Sequence, residues 1–455
     1  MSIKNRLSET IVAITTGIDG AVSIIRVSGD RSLEIMNKIF KPLKKGNFKP
    51  RYMYYGSIID DKTIIEKGLA VYFKNPNSFT GEDIVEFHIH GGFINSQKVL
   101  KLILKSGAIQ AQKGEFTERA FLFGKIDLIQ AESILEIIES RGELGLSQAV
   151  NQLRGVLSNH INSINKELLE ITTITEATID FPEEDYDFMA EYNIKERVEN
   201  ILDNLEKLSN SYFEGKLLSQ GANVVIVGAP NVGKSSLMNI LLNEERAIVT
   251  NIPGTTRDYL EGSLSIKGVP ITLVDTAGIR ESKDEIEQIG VERVFQKIEN
   301  SDLIIFLIDE THKKDGKINF SEKIKEIYNR FKDKKHILIQ NKSDIEKLEL
   351  KEVNLKISTK NGIGIEELKE LIYNNLVGEN FKSSEIMITN NRHKVNIDNA
   401  ISYMQNSLDA IENMLPLEFV SQDLKFALNQ LGAILGEVTP DDILGNIFGN
   451  FCIGK

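Results

Sequence analysis

The stretch Gly228-Ala229-Pro230-Asn231-Val232-Gly233-Lys234-Ser235 constrains this chain more than any other. It fits Gly-x-x-x-x-Gly-Lys-Ser and stands between a β-branched run, Asn223 to Val227, and an apolar helical run, Ser236 to Leu242. A strand, a glycine-rich turn and a helix in that order form the phosphate-binding loop of an α/β nucleotide-binding fold. The glycines let backbone N–H groups crowd around phosphates, and the helix N-terminus adds partial positive charge. Lys234 is expected at the β and γ phosphates and Ser235 at a magnesium ion, with Val232, Gly233 and Ser236 completing the cradle.

The surrounding residues, 217–379, extend this pattern. Short apolar runs at Asn223 to Val227, Ile271 to Val274, Leu303 to Ile308 and Ile337 to Ile339 each end in polar or glycine-bearing loops. Such alternation predicts a doubly wound, parallel sheet. Chemistry-bearing residues follow these strands. Asp275-Thr276-Ala277-Gly278 places an acid where it can hold magnesium through water and a Gly N–H where it can sense a γ-phosphate. Pro253-Gly254-Thr255-Thr256 precedes it, and Thr256 is placed to close on magnesium. In Asn341-Lys342-Ser343-Asp344 the Asp can accept both N–H donors of guanine, a pair that adenine lacks. Ser358-Thr359-Lys360 falls where a base-contacting loop is expected. These motifs, in this order, resemble the translation-factor-related class of small GTPases, which implies GTP rather than ATP. One residue departs from the Ras-like pattern. Ile279 stands where a Gln orients the attacking water, so hydrolysis is either slow or served by another group. The acidic run Glu281 to Glu292 holds candidates, although a solvated helix face accounts for such a run as well.

The flanks have other textures. Residues 1–118 are strand-like and rich in turns, with Ala21 to Val27 and Ile84 to His90 as strands and Ser96 to Leu104 as a helix, which predicts an α+β domain. Residues 119–216 are helical. Leu146, Val150, Leu153, Leu157, Ile161, Ile164, Leu168 and Ile171 place one apolar stripe along a long helix. An acidic break, Phe181 to Asp185, precedes a second stripe through Val198, Ile201, Leu205, Leu208 and Tyr212. Residues 380–455 return to helical texture, with stripes from Ile397 to Leu415 and from Val420 to Ile434. There Thr439-Pro440 suggests a cap with Pro at the first helical position. Each stripe needs partners, so one all-α domain interrupted by an inserted α/β domain is expected.

Composition sets the boundaries. Lys plus Arg is 54 and Asp plus Glu is 66, a net charge of −12, which argues against a general polyanion binder but leaves room for a local basic patch. A single Cys excludes a disulfide scaffold and a cysteine zinc cage, and suits a reducing compartment. His88 and His90 share a strand face, but two ligands without a third make a poor metal site. The opening residues lack the apolar run of a signal peptide, and no segment offers about 18 uninterrupted apolar residues. A cytoplasmic protein without membrane association is expected.

Beyond the nucleotide motifs, Gly81-Glu82-Asp83, His88 to Gly92, Gly114 to Leu122 and the closing Phe451-Cys452-Ile453-Gly454-Lys455 resemble the MnmE (TrmE) family of tRNA modification GTPases. The likeness runs through nearly the whole chain in the same domain order. It implies a homodimer, joined through the N-terminal domain, that works with a flavin-binding MnmG-type partner. The pair would install an aminomethyl or carboxymethylaminomethyl group on C5 of the tRNA wobble uridine. A tetrahydrofolate derivative would bind at Arg26, Glu86, Lys125 and Lys455 and supply the one-carbon unit. By the same resemblance, potassium is held by Asn231, Thr250, Ile252 and Thr255, with Asn251 in the same GTP-binding loop, and Glu287 positions the water that Ile279 cannot. Cys452 is a candidate functional thiol near the folate. Phe123 and Ile89 depart from the family's frequent Asn and Cys, and the loop Gly17 to Gly20 is short. A regulatory GTPase in ribosome assembly or stress signalling, without folate, is the alternative from another class.

Overall fold

The structure is a computed structural model that describes residues 6–17, 20–44, 46–180, 192–244, 261–275, 295–309, 313–314, 317–318, 320, 322–345, 352–378, 386–437 and 439–455. The chain divides into two compact units. One comprises Met1–Leu135, Gln152–Leu202 and Asn399–Lys455; the other comprises Glu136–Asn151 and Asp203–Asp398. The expected class holds: a mixed α+β N-terminal part, a set of long helices, and an α/β part inserted between them.

The first unit opens with a seven-stranded sheet. Its strands are β1 (Ile11–Ile14), β2 (Val22–Ser28), β3 (Phe40–Pro42), β4 (Met53–Asp60), β5 (Thr63–Phe73), β6 (Ile84–His90) and β7 (Ile109–Gln110), in the order β3-β4-β5-β6-β2-β1-β7. Only the β1–β7 pair is parallel. Alternation decides which residues go inward. In β2, Ile25 and Val27 are buried while Ile24 and Arg26 are half-exposed. The buried set packs on α1 (Ser32–Ile39) and α2 (Phe93–Lys105) through Ile35, Met36, Val99 and Ile103. Only part of the other face is covered, where Phe116 of α3 (Glu115–Leu122) meets Ile11 and Ala13.

A buried charge network ties these pieces together. Arg119 is 0% exposed, and its Nη1 donates to Glu82 Oε1 at 2.9 Å and to the Glu9 carbonyl at 2.9 Å. Its Nη2 donates to Glu115 Oε1 and to the Arg6 carbonyl, each at 3.0 Å. Ser28 Oγ donates to the second Glu82 oxygen at 2.7 Å, and the Gln112 N–H to the second Glu115 oxygen at 2.7 Å.

The helices that follow are α4 (Leu128–Glu139), α5 (Glu143–Leu153), α6 (Val156–Asp180), α7 (Ile194–Asn210) and α8 (Tyr212–Gln220). The stripe from Leu146 to Ile171 is therefore not one helix. Gly155 adopts φ 83°, a left-handed conformation that ends α5, and α6 starts anew. Leu146 and Val150, before the break, are 41% and 39% exposed, whereas Leu157 to Ile171 line the buried face of α6. The second stripe holds from Val198 to Leu208, but Tyr212 belongs to the next helix. The acidic break at Phe181 lies outside the described residues. Helices α9 (Lys234–Glu244), α10 (Glu322–Phe331) and α11 (Ile365–Val377) belong to the α/β part. Beyond it come α12 (Asn391–Glu412), α13 (Leu417–Leu435) and α14 (Asp441–Gly449). Helices from both sides of the insertion meet in the first unit, where α6 packs along α13. Pro440 takes the N-cap position of α14, one residue earlier than expected, with φ −58° and ψ 145°.

In the second unit the strands are β8 (Ala222–Gly228), β9 (Glu261–Ile266), β10 (Val269–Asp275), β11 (Leu303–Ile308), β12 (Lys313–Lys314), β13 (Lys317–Ile318), β14 (His336–Gln340) and β15 (Leu355–Lys356). Six of them form a sheet ordered β15-β14-β11-β8-β10-β9, parallel except for β9 at the edge. Every residue of β11 is buried. Leu303, Ile305 and Leu307 face one core with α9 and α11, and Ile304, Phe306 and Ile308 face the other with α10. Runs without alternation signal such two-sided burial.

Replacing Arg119 with Met leaves Glu82 buried without its cation and leaves Glu115 with Arg6 alone, at 3.2 Å. The first unit is expected to lose about 3–5 kcal/mol. Hydrogen exchange checks this: amides of β1, β2 and α3 should exchange faster, while those of β8 and β11 keep their rates.

Candidate nucleotide site and N-terminal cluster

The carboxyl ends of β8, β10, β11 and β14 converge, as expected where strand order reverses about a central strand. β8 ends at Gly228, and the loop turns through Asn231 at φ 62° and Gly233 at φ 104° before α9 starts at Lys234. Gly233 is required there twice over. Its φ suits glycine, and a Cβ would lie 2.2 Å from Asn341 Nδ2.

Asn341 joins three loops. Its Nδ2 donates to the Val232 carbonyl at 2.8 Å and to Thr359 Oγ1 at 3.1 Å, and its Oδ1 accepts from the Thr359 N–H at 3.1 Å. Lys342, at φ 62°, donates to Asp309 Oδ2 at 2.7 Å. The Ser343 N–H donates to the Ile357 carbonyl at 3.0 Å. Asp344 is exposed and accepts from Ser358 Oγ at 2.7 Å, and that bond holds its carboxyl below the usual range. The exposed Lys360 ends the base loop. Asp309 was not anticipated from sequence. Its signal is positional: it follows β11 directly, while Asp275 ends β10.

On the phosphate side, Ser235 Oγ donates to Asp275 Oδ2 at 3.1 Å. A hydroxyl and a carboxylate side by side at a helix N-terminus fit magnesium, a hard cation that takes oxygen ligands. Lys234 is 6% exposed, and its Nζ donates to the carbonyls of Gly228 and Ala229 at 2.8 and 2.9 Å. Burial lowers its pKa, and Asp275 partly opposes that shift. A phosphate would replace two neutral carbonyl acceptors with anionic oxygens, ionising both sides of the hydrogen bond. Asn231 and Ser236 are exposed beside this loop. Thr250, Asn251, Ile252, Pro253, Gly254, Thr255, Thr256, Thr276, Ala277, Gly278, Ile279 and Glu287 lie outside the described residues.

A second cluster lies on the open face of the N-terminal sheet. Arg26 and Glu86 are paired across β2 and β6, with Arg26 Nε donating to Glu86 Oε1 at 2.8 Å. His88 Nε2 is 3.4 Å from the other Glu86 oxygen. Burial alone would raise the Glu86 carboxyl, but the His88 hydrogen bond and the Arg26 guanidinium outweigh it and hold it low. The Arg26 guanidinium lies 5.3 Å from the Phe79 ring centroid and 5.7 Å from that of Phe116. The closing residues come back to this place: the Phe116 N–H donates to the Lys455 carbonyl at 3.2 Å, and the Gly114 N–H to the Cys452 carbonyl at 3.4 Å. Lys125 Nζ donates to the Pro76 carbonyl at 2.9 Å, in the loop that carries Phe79. Cys452 is exposed. Phe79 was missed from sequence, since a lone aromatic carries no spacing signal; His88 was weighed there as a poor metal ligand and Phe116 stood only within a family motif, neither with a place beside Arg26. Paired charges and aromatic faces, with the Lys125 ammonium on the Phe79 loop, fit a flat heterocycle with an anionic tail, the chemistry of a folate. Among the described residues no group of three or more His, Cys, Asp or Glu is placed to hold a metal ion, and His90 instead lies 3.2 Å from Glu66. No helix among them is long and apolar enough to cross a membrane.

A model of the MnmE helical domain matches residues 128–452, and one described as GTP-binding protein TrmE N-terminus matches residues 10–125. The tRNA modification GTPase MnmE of Clostridioides difficile (strain 630) is 41% identical over 464 residues, covering 99% of this chain and 100% of that one. The protein of the same name from Aquifex aeolicus (strain VF5) is 42% identical over 458 residues, with the same coverage. The chain belongs to the MnmE (TrmE) family. A crystal structure of an Aquifex aeolicus Era variant bound to GDP·AlF4− is 31% identical, covering 40% of this chain and 67% of that one, with a TM-score of 0.27.

Within an MnmE-family nucleotide site the joint at Asn341 carries a measurable load. Asn341→Ala removes three hydrogen bonds, about 2–3 kcal/mol at roughly 1 kcal/mol each. GDP binding, followed with a fluorescent analogue, should weaken by about 30-fold or more. A second expectation concerns pH. The depressed folded-state pKa of Asp344 favours its ionised form, and this contribution is lost as pH falls through the folded value. Ser358→Ala lets that value rise toward the ordinary Asp value of about 3.9. The acid limb of GDP binding should then move to higher pH, with little change near neutrality.

Proposed function

We propose that this member of the tRNA modification GTPase family binds GTP across the ends of β8, β10, β11 and β14 and hydrolyses it in a potassium-activated reaction. The observation that carries the reading is the joint at Asn341, which ties the phosphate loop at Val232 to the base loop at Thr359. Asp344 is the guanine acceptor, steadied by Ser358. Ser235 and Thr256 hold magnesium, which offsets charge developing on the phosphates when bound. Asn231, Thr250, Ile252 and Thr255 would hold potassium, which would add positive charge against the developing charge on the phosphates. Glu287 positions the attacking water.

The reading extends to the N-terminal cluster. Arg26, Glu86, Lys125 and Lys455 bind a tetrahydrofolate derivative that supplies a one-carbon unit, with Cys452 close by. Together with a flavin-binding MnmG-type partner, the homodimer installs an aminomethyl or carboxymethylaminomethyl group on C5 of the tRNA wobble uridine in the cytoplasm. GTP hydrolysis drives the conformational cycle rather than the carbon chemistry. Residues 1–118 form the folate-binding, dimerising domain. Residues 217–379 form the GTPase domain, inserted in a helical domain made of residues 119–216 and 380–455. The gathering of Arg26, Glu86, Phe79 and Phe116 favours this over a purely regulatory GTPase, which needs no such cluster.

Steady-state GTP hydrolysis in matched potassium and sodium buffers tests the catalytic part. Turnover should be faster in potassium, and Glu287→Ala should lose most of kcat while still binding GTP. Equal rates in both salts, with Glu287→Ala unaffected, would remove both the ion site and the carboxylate.

A further inference from the structure

The chain carries 66 acids in 455 residues, yet none lies between Ile35 and Ile59. That stretch holds Lys38, Lys41, Lys44, Lys45, Lys49 and Arg51. Lys38, Lys41, Lys44, Lys49 and Arg51 are exposed, and among the described residues only Lys38 has an acid near enough to feel its charge, Glu34. Nearby cations behave otherwise: Arg31 pairs with Glu34 at 3.1 Å, and Lys105 with Asp60 at 3.2 Å. The segment has a defined shape. β3 pairs with β4 so that Lys41 faces Ser57, and β5 places Lys67 on the other side of Ser57. Residues opposite one another on antiparallel strands share a face, so Lys41 and Lys67 flank Ser57. Tyr55, two residues along β4, shares that face and is 53% exposed.

Residues 46–52 are pinned by aromatic side chains of this segment. Tyr54 Oη accepts from the Lys49 N–H at 2.8 Å and donates to the Asn47 carbonyl at 3.2 Å. Phe48 packs edge-on against Tyr54 at 5.0 Å, and the Tyr52 ring lies 4.7 Å from that of Tyr54 while Tyr52 stays 56% exposed. Arg51 Nη2 donates to the Asn77 carbonyl at 3.0 Å. The result is an edge of unpaired cations interleaved with two exposed, positioned aromatic rings, in a chain that is otherwise acidic.

We propose that this edge, built by Lys41, Lys44, Lys49 and Lys67 with Tyr52 and Tyr55, is the tRNA-binding surface of the N-terminal part. The lysines meet phosphates, and the tyrosines stack on unpaired bases. This inference rests on the tRNA reading above. Local charge of the opposite sign from the whole molecule favours a polyanion at this edge alone, and the exposed rings favour RNA with unpaired bases over a duplex.

The test is fluorescence anisotropy with a labelled, unmodified tRNA transcript and the full-length protein over a series of salt concentrations. Lys41→Gln/Lys44→Gln/Lys67→Gln should weaken binding and flatten the slope of log affinity against log salt by about two. Tyr52→Ala/Tyr55→Ala should weaken binding by about tenfold or more with the slope unchanged. Both variants should keep the parent's GTP hydrolysis and elution volume, since neither touches the nucleotide site. Parent-like affinity and slope in both variants would overturn this surface while the tRNA reading stands. A parent that binds no tRNA would overturn both. A changed elution volume, or binding to anionic phosphatidylserine vesicles in place of tRNA, would assign the edge to another partner and overturn the proposal.

Discussion

A parallel sheet covered on both faces leaves polar chemistry only one place to go, the ends of its strands. β11 shows the constraint at its sharpest, since all six residues are buried between two cores. Asp275, Asp309 and Asn341 therefore gather at the carboxyl ends, where helix N-termini and loop N–H groups already favour anions. The site depends on the sheet for position and on Asn341 for closure. Its three hydrogen bonds set the phosphate loop at a fixed distance from the base loop, and Gly233 provides the space.

The N-terminal sheet solves the opposite problem. Helices cover one face, and the other keeps an open stretch where half-buried charge is tolerable if paired. Arg26, Glu86 and His88 pair there at the surface of the sheet. Arg119 is the deeper case. A fully buried guanidinium gains little net stability from its carboxylates, because desolvation offsets much of the attraction. What it supplies is definition. One side chain fixes the residue 6–9 segment, the Glu82 loop and α3 in a single arrangement, and Phe116 of that helix forms a wall of the Arg26 cluster.

The nucleotide loop was legible in the sequence because its chemistry demands a fixed spacing within one turn. The four strands were legible because two-sided burial writes continuous apolar runs. What escaped was set by contacts between distant residues or by single backbone positions. The stripe from Leu146 to Ile171 kept its period across Gly155, so periodicity alone could not show the break that one left-handed residue imposes. Pro440 stands at the cap rather than inside the helix, a one-residue shift that patterning does not resolve. Asp309 was hidden because an acid after a strand reads as an ordinary loop residue until Lys342 is seen against it. Phe79 and Phe116 were hidden for the same reason, being far from Arg26 in sequence and beside it in space.

The distances along the chain also say something about how the first unit must form. The walls of the Arg26 cluster come from residues 26, 79, 86 and 116, and the backbone of Phe116 is bound by residue 455. Between them lies an α/β unit in which only β9–β10 and β14–β15 pair as consecutive strands, while β8–β10, β8–β11 and β11–β14 pair across intervening elements. Contacts of long sequence separation carry a larger loop-closure cost and form late unless something shortens the loop. The packing of α6 along α13 then brings residues beyond 440 within reach of β1 and α3. By this argument the N-terminal cluster is completed only once the α6–α13 packing is in place, because its last backbone contact comes from the far end of the chain.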